Sequence, residues 1–332
     1  MAGKTVALVL GSGGARGYAH IGAIQVLTER GYEIVAVAGS SMGALVGGLH
    51  AAGQLEAYTD WATSLSQRDV LRLLDPVING PGMLRLERVL ARMTDYLGGV
   101  RIQDLPIPYT AVASDLGARR EVWFTSGPLD VAIRASIAIP AMITPIMVNG
   151  RLLVDGGVLN PVPMEPVIGV PADFTMAVNL SGQKTHHVST SPTRESAAQR
   201  PPHEWLDRFR RTAAGVWEND FIASILSRFA RPDDAQDRRA YDPPPPGLGI
   251  TDVTWMSLDA MEALITRYRL AALPPDVLVT VGIDSAKVLD FHRATELIAL
   301  GRTLTEKALD EAFGDEDPED LTPVESLHEI EA

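Results

Sequence analysis

VAGSSMGAL, residues 37–45, sets two serines between two glycines directly after a run of small and β-branched residues. The residues ahead of the turn, EIVAVAG from Glu33 to Gly39, read as a buried strand. The Ala/Gly/Leu-rich residues behind it, to about Ala52, read as a helix. A chain that passes from strand to helix in so few residues needs small side chains at the corner, because neighbouring backbone must approach closely there. Gly39, Ser40, Ser41, Met42 and Gly43 fit the pattern GxSxG, with Ser41 as the exposed central residue and Ser40 at the variable position. Two readings compete for Ser41: a nucleophile on a strained elbow, or a plain helix N-cap.

Working outward, TVALVL at 5–10 reads as another buried strand, followed by GSGGARG at 11–17. A helix is predicted over 18–30, with Ile21, Ile24 and Leu27 at helical spacing and Gly31 placed to end it. The order is strand, glycine-rich turn, helix, strand, tight turn, helix. It predicts an α/β fold with a mostly parallel sheet covered by helices on both faces. Further strands are expected at 109–113, 121–125, 151–154, 174–179 and 277–283. Residues 182–203 are polar and rich in Gly, Ser, Thr and Pro, and 231–248 carries four consecutive prolines; both read as loops or linkers. Between them, 204–230 places Trp205, Phe209, Trp217, Phe221 and Phe229 near four-residue intervals beside Arg208, Arg210 and Arg211. That pattern fits a helix packed on the body or an interfacial lid helix.

Composition narrows the classes. With no cysteine among 332 residues, disulfides, thiolate catalysis and cysteine metal sites are excluded. The net charge is −13, but residues 310–332 hold ten Asp or Glu and no Lys or Arg, so residues 1–309 carry only −3. The acidity therefore belongs to a tail that reads as a frayed helix end running into a solvated, disordered segment. No basic block accompanies the 6% aromatic content, which argues against nucleic-acid binding. The apolar run before GSGG is too short for a signal peptide or a membrane span, so the N-terminus reads as the first strand of a cytoplasmic protein.

A serine nucleophile needs a base and an oxyanion hole. GSGGARG follows the first strand and opens the first helix, where backbone N–H groups and the helix dipole favour an anion. A dinucleotide site is disfavoured because GxGxxG fails at Arg16, and a P-loop is excluded because GxxxxGK[ST] does not occur. The seven histidines supply no convincing base. His186, His187, His203 and His328 fall in the linker or tail, His50 and His292 on predicted helices, and His20 sits where a packed structural role is expected. That leaves carboxylates: Asp155, after the strand RLLV and before two glycines, and Asp115 in ASDLG.

These pieces resemble the patatin-like phospholipases. GSGGARG is similar to the family's oxyanion segment, GSSMG to its elbow, RASIAIPAMITPI at 134–146 to its Ala-Ser…Pro…Pro block, and DGG at 155–157 to its aspartate motif, in the family's order. Ser12 departs from the commoner GGGxRG, where that position is glycine. The resemblance implies a three-layer α/β/α patatin-like domain over 1–309, with a polar and helical insertion at 182–256 and an acidic tail at 310–332. It also implies a Ser–Asp dyad without histidine: Ser41 as nucleophile and Asp155 as base. Gly13 and Gly14 N–H groups, with Arg16 close by, would form the oxyanion hole. Gly11, Gly17, Gly39, Gly43, Gly156 and Gly157 are the motif glycines. No metal or organic cofactor is implied. The implied substrates are acyl lipids such as (lyso)phospholipids, with peripheral contact at the inner membrane surface; no oligomeric state follows. The alternatives are an esterase or thioesterase for small soluble acyl esters, or a non-catalytic lipid-binding regulator.

Overall fold

The structure is a computed structural model that describes residues 3–73, 82–84, 87–184 and 248–314. By its internal contacts the chain divides into a main unit, residues 1–186 and 251–332, and a second unit, residues 187–250. The 204–230 segment and the tail beyond 314 lie outside the described residues, as do His186, His187, His203 and His328.

The first crossover runs β1 (Thr5–Leu10), a 3-10 turn (Gly14–Tyr18), α1 (Ala19–Glu29), β2 (Glu33–Ser40) and α2 (Met42–Ala51), matching the predicted alternation to within a residue or two. Gly31 ends α1 in the left-handed conformation, φ 74°. The helices α3 (Leu55–Ser64) and α4 (Gln67–Leu73), strand β3 (Gly82–Leu84) and helix α5 (Glu87–Leu97) follow. Then come β4 (Tyr109–Asp115), β5 (Arg120–Phe124), α6 (Leu129–Ser136), β6 (Ala141–Ile143), β7 (Ile146–Val148), β8 (Arg151–Asp155) and β9 (Phe174–Gly182). The chain closes with α7 (Ile250–Ala272), β10 (Val277–Gly282) and α8 (Ala294–Phe313).

The main sheet has the order β10-β9-β1-β2-β4-β8-β7, with β5 also on β4; β3 and β6 form a separate pair. The five strands from β10 to β4 are parallel to their neighbours, while β5, β8 and β7 join antiparallel. Strand alternation sends residues to opposite faces. On one face Leu8, Leu10, Val37, Met176 and Val178 join the large core beneath α1, α2 and α8. On the other, the smaller Ala7, Val9, Ala38 and Ala177 meet Val162, Met164 and Val167, with Leu270 of α7 against them. Both faces are thus covered in a three-layer α/β/α arrangement, as parallel strands buried on both sides require.

Residues 250–256, inside the segment expected as a polar and helical insertion, are the first turns of α7. The acidic tail begins as a helix end: α8 runs to Phe313, whose ring packs on Phe174 with centroids 5.0 Å apart.

Candidate active site

Strand β4 brings the elbow and the aspartate together. Along one of its edges β2 pairs as far as Ser40 opposite Val112, and the next β4 residue, Ala113, pairs with Asp155 at the end of β8. Strand β5 spans Ala111–Asp115 and so must occupy the other edge. The ladder of β4 therefore passes from β2 to β8 in one residue step. Residues 41 and 155 leave their strands side by side.

Ser41 stands between β2 and α2 with φ 56° and ψ −124°, a conformation that serine rarely adopts. Close approach explains the glycines around it: a Cβ on Gly43 would overlap the Leu10 carbonyl, and one on Gly39 the backbone of Gly43. The strained residue is pinned by Ser136 of α6, whose Oγ accepts from the Ser41 N–H at 2.9 Å and donates to the Val112 carbonyl at 2.6 Å. Ser41 occupies the N-cap position of α2 but makes no side-chain capping bond. Its Oγ donates instead to Oδ2 of Asp155 at 2.5 Å.

Asp155 is buried, and its Oδ1 accepts from the Gly157 N–H at 2.7 Å. Burial pushes its carboxyl up to about 7; the bonds from Ser41 and Gly157 oppose that rise, and the charge of Glu262 adds to it. An ordinary aspartate near pKa ~4 is a poor acceptor for a hydroxyl proton, whereas one near neutrality is matched to the task.

The glycine loop closes the other side. The Ser12 N–H donates to Pro161 and the Ala15 N–H to Val288, while among the described residues the N–H groups of Gly13 and Gly14 between them have no protein acceptor. Both glycines line a pocket with Ser41 and Asp155. Side chains are excluded there: a Cβ on Gly13 would overlap Leu180, and Gly14 holds φ 57° against Val288. Arg16 lines the same pocket. Its guanidinium is buried and donates to the carbonyls of Leu180, at 3.0 Å, and Ala286, at 3.1 Å. It ties the loop to β9 and to the chain after β10. The remaining motif glycines have packing duties: Gly11 faces Val178 and Pro161, Gly17 faces Met42, Gly156 the Val112 carbonyl, and Gly157 the Ser12 hydroxyl.

The other sequence candidates are occupied elsewhere. His20 is fully buried, its Nε2 donates to the Gly11 carbonyl at 2.8 Å, and burial pushes it down to about 4, so it is a neutral structural histidine. Asp115 accepts from the Ala118 N–H at 3.0 Å and holds the β4–β5 turn.

Ser41 sits where two cavities meet. One, about 90 Å³, is lined almost wholly by apolar side chains, among them Leu45, Trp61, Val89, Ile143 and Phe291. The other, about 70 Å³, is the more polar of the two, with apolar walls that carry charged groups: Ser12, Asp155 and Arg16 face Trp255, Asp259 and Glu262 of α7 across it.

Comparison with known proteins follows the same outline. A model of the patatin-like phospholipase family matches residues 8–168, from β1 to just past the DGG turn. An NTE family protein of Mycobacterium tuberculosis is 47% identical over 343 aligned positions, covering 95% of this chain and 93% of that one. The chain belongs to the patatin-like phospholipases, in the NTE family. Patatin-like phospholipase domain-containing protein 6 of Homo sapiens is 32% identical over 199 residues, which cover 57% of this chain and 14% of that protein. Neuropathy target esterase sws of Drosophila melanogaster is 30% identical over 190 residues, 55% of this chain and 13% of that one. As a patatin-like phospholipase the protein is a hydrolase, and the family is one of lipid hydrolases. Sequence reasoning missed two polar groups that this patatin-like site contains. Ser136 lay within the quoted family block, where its exact fit under the elbow gave no local signal. Glu262 lies beyond the matched region altogether.

Proposed function

We propose that this patatin-like phospholipase cleaves carboxylic esters of (lyso)phospholipids or related acyl lipids through a Ser41–Asp155 dyad and an acyl-enzyme. The observation that carries the proposal is the Ser41 Oγ to Asp155 Oδ2 hydrogen bond on a strained elbow opening on an apolar cavity. Asp155 accepts the hydroxyl proton as Oγ attacks the ester carbonyl. The oxyanion of the tetrahedral intermediate is met by the Gly13 and Gly14 N–H groups, each such donor typically worth on the order of 10²–10³ in rate. Collapse breaks the bond to the leaving alcohol, which takes the proton from Asp155. Water then attacks the acyl-enzyme, gives its proton to Asp155, and the carboxylic acid departs as Ser41 recovers its hydrogen. The apolar cavity holds the acyl chain, and the polar one receives the alcohol.

A fluorophosphonate probe should label the wild type and fail on Ser41→Ala. Turnover of acyl lipids should fall to background in both Ser41→Ala and Asp155→Asn. Full esterase turnover in either variant would refute the dyad. Exclusive turnover of short soluble esters or thioesters would refute the lipid assignment while leaving the dyad in place. Peripheral membrane contact is the companion expectation, checked by co-sedimentation of the protein with liposomes. Among the described residues no helix is long and apolar enough to cross a membrane.

A further inference from the structure

Helix α7 supplies one wall of the polar pocket, although it lies outside the residues matched by the family model. Glu262 projects from it to the glycine loop, and its carboxylate accepts the Ser12 hydroxyl. Ser12 is the position at which this chain departs from the commoner glycine, so the hydroxyl and its acceptor form a contact that a glycine loop lacks. The same residue is held from the backbone side by its N–H bond to Pro161 at 2.8 Å. Ser12 immediately precedes the two unpaired N–H groups of Gly13 and Gly14, so whatever fixes Ser12 fixes their direction.

We propose that Glu262 is a positioning residue for the hydrolytic reaction: through Ser12 it locks the oxyanion loop to α7, and its charge acts on Asp155 across the polar pocket. The proposal rests on the Ser41–Asp155 reading. The ionisable groups around that pocket are Arg16 from the loop, Asp155 from β8, and Asp259 and Glu262 from α7; its other lining side chains, such as Ile139, Trp255 and Val288, carry no charge. Arg16, although bonded to backbone carbonyls, keeps its charge and offsets part of that of Asp259 and Glu262. Burial and the neighbouring Asp259 push the Glu262 carboxyl up, while the Ser12 bond and Arg16 pull it down. Its charge in turn raises Asp155.

The test uses full-length Glu262→Ala, Glu262→Gln, Ser12→Gly and the double variant Ser12→Gly/Glu262→Ala, assayed on a p-nitrophenyl ester from pH 5 to 9. Ser12→Gly and Glu262→Ala should each lower kcat about tenfold with KM little changed, less than the 10²–10³ of losing an oxyanion donor outright. The double variant should be no worse than either single one, since both remove the same contact. Glu262→Gln keeps an acceptor for the Ser12 hydroxyl but not the charge. It should retain most of kcat at pH 8 and move the acid limb of the rate profile to lower pH, because a negative neighbour that raised Asp155 has gone. A purely structural glutamate would leave that limb in place. Multiplying losses in the double variant, or an acid limb in Glu262→Gln that coincides with the wild type, would overturn the proposal. Either result with fluorophosphonate labelling still dependent on Ser41 leaves the dyad intact, whereas labelling that survives Ser41→Ala would remove the dyad itself.

Discussion

Replacing Ser136 by alanine tests whether the elbow is held by the hydrogen bonds seen beneath it. The hydroxyl is fully buried and serves two backbone groups, accepting from the Ser41 N–H at 2.9 Å and donating to the Val112 carbonyl at 2.6 Å. Alanine is nearly isosteric, so the change opens no sizeable cavity and its cost comes from polar groups left without a partner. A buried group that loses its partner costs about 1–3 kcal/mol. The carbonyl has a second lone pair and belongs at the lower end of that range, so the pair should cost about 2–4 kcal/mol. Ser41 then has less to hold it at φ 56° and ψ −124°, a kind of backbone strain worth roughly 1–3 kcal/mol. As the elbow relaxes, Oγ moves from its line to Asp155, and a misplacement of about 1 Å is sufficient for a loss on the order of 10² in kcat. Urea unfolding followed by tryptophan fluorescence gives the stability term, and the rate of fluorophosphonate labelling gives the chemical one. Ser114→Ala is the control: that serine is equally buried, but its hydroxyl meets the Gly156 carbonyl only at 3.4 Å, so its loss should cost under about 1 kcal/mol. A Ser136→Ala protein within about 0.5 kcal/mol of wild type that labels at the wild-type rate would refute the reasoning.

The remaining predictions concern the aspartate and the acyl cavity. The folded-state pKa of Asp155 is raised from 3.8 to about 7, so the native protein binds the proton more tightly than the unfolded chain and stability falls as pH rises from about 4 through about 7. Asp155→Asn removes this penalty, on the order of 4 kcal/mol at pH 8 and much less at pH 5. Its melting temperature should exceed that of the wild type at pH 8 even as turnover is lost; equal melting temperatures at pH 8 would contradict a buried, raised carboxyl. Val89 lines the apolar cavity from α5 while remaining half-buried, so Val89→Trp should narrow that cavity without disrupting the core. Excluding two or three methylenes at ~0.8 kcal/mol each is worth about 2 kcal/mol, or roughly 30-fold in kcat/KM. A p-nitrophenyl ester series should therefore show that loss for long acyl chains and little change for short ones; a uniform loss would mean that the cavity does not hold the chain.

How much of this was legible depends on the distance over which each signal acts. Strands β1 and β2 and the elbow are written in contiguous residues, because a doubly covered parallel strand must be apolar throughout and a tight corner must be small. The choice between nucleophile and cap for Ser41 is not local: it turns on whether a partner for Oγ stands nearby, and that partner comes from 114 positions downstream. Neither Asp155 nor Asp115 differs enough in its immediate neighbours to decide the matter; family order favours Asp155, and the β4 ladder sets Asp155 beside Ser41. Asp115 lies on the same strand, two residues past Ala113, and there it meets the turn instead of the elbow.

Helix α7 is hard to read from sequence for a different physical reason. An amphipathic helix is recognised by an apolar face turned inward. In α7 Val253, Met256, Met261, Leu264 and Tyr268 are exposed, while Asp259, Glu262, Thr266 and Arg269 are turned inward or partly buried. Arg269 is joined to Glu121 and Glu165, and Asn160, close behind the DGG turn, donates to both of those glutamates at 2.9 Å. The polar face of α7 thus does two jobs along one helix, with Arg269 bracing the segment after Asp155 and Glu262 reaching the loop beside Ser12. Hydropathy patterning assigns such residues to solvent, so contiguous sequence gives little signal for the inward side of α7. Polar side chains thus share the inward side of α7 with Trp255 and Leu270, which pack on apolar neighbours, and the inward charges of α7 are the part of the site most informative to mutate.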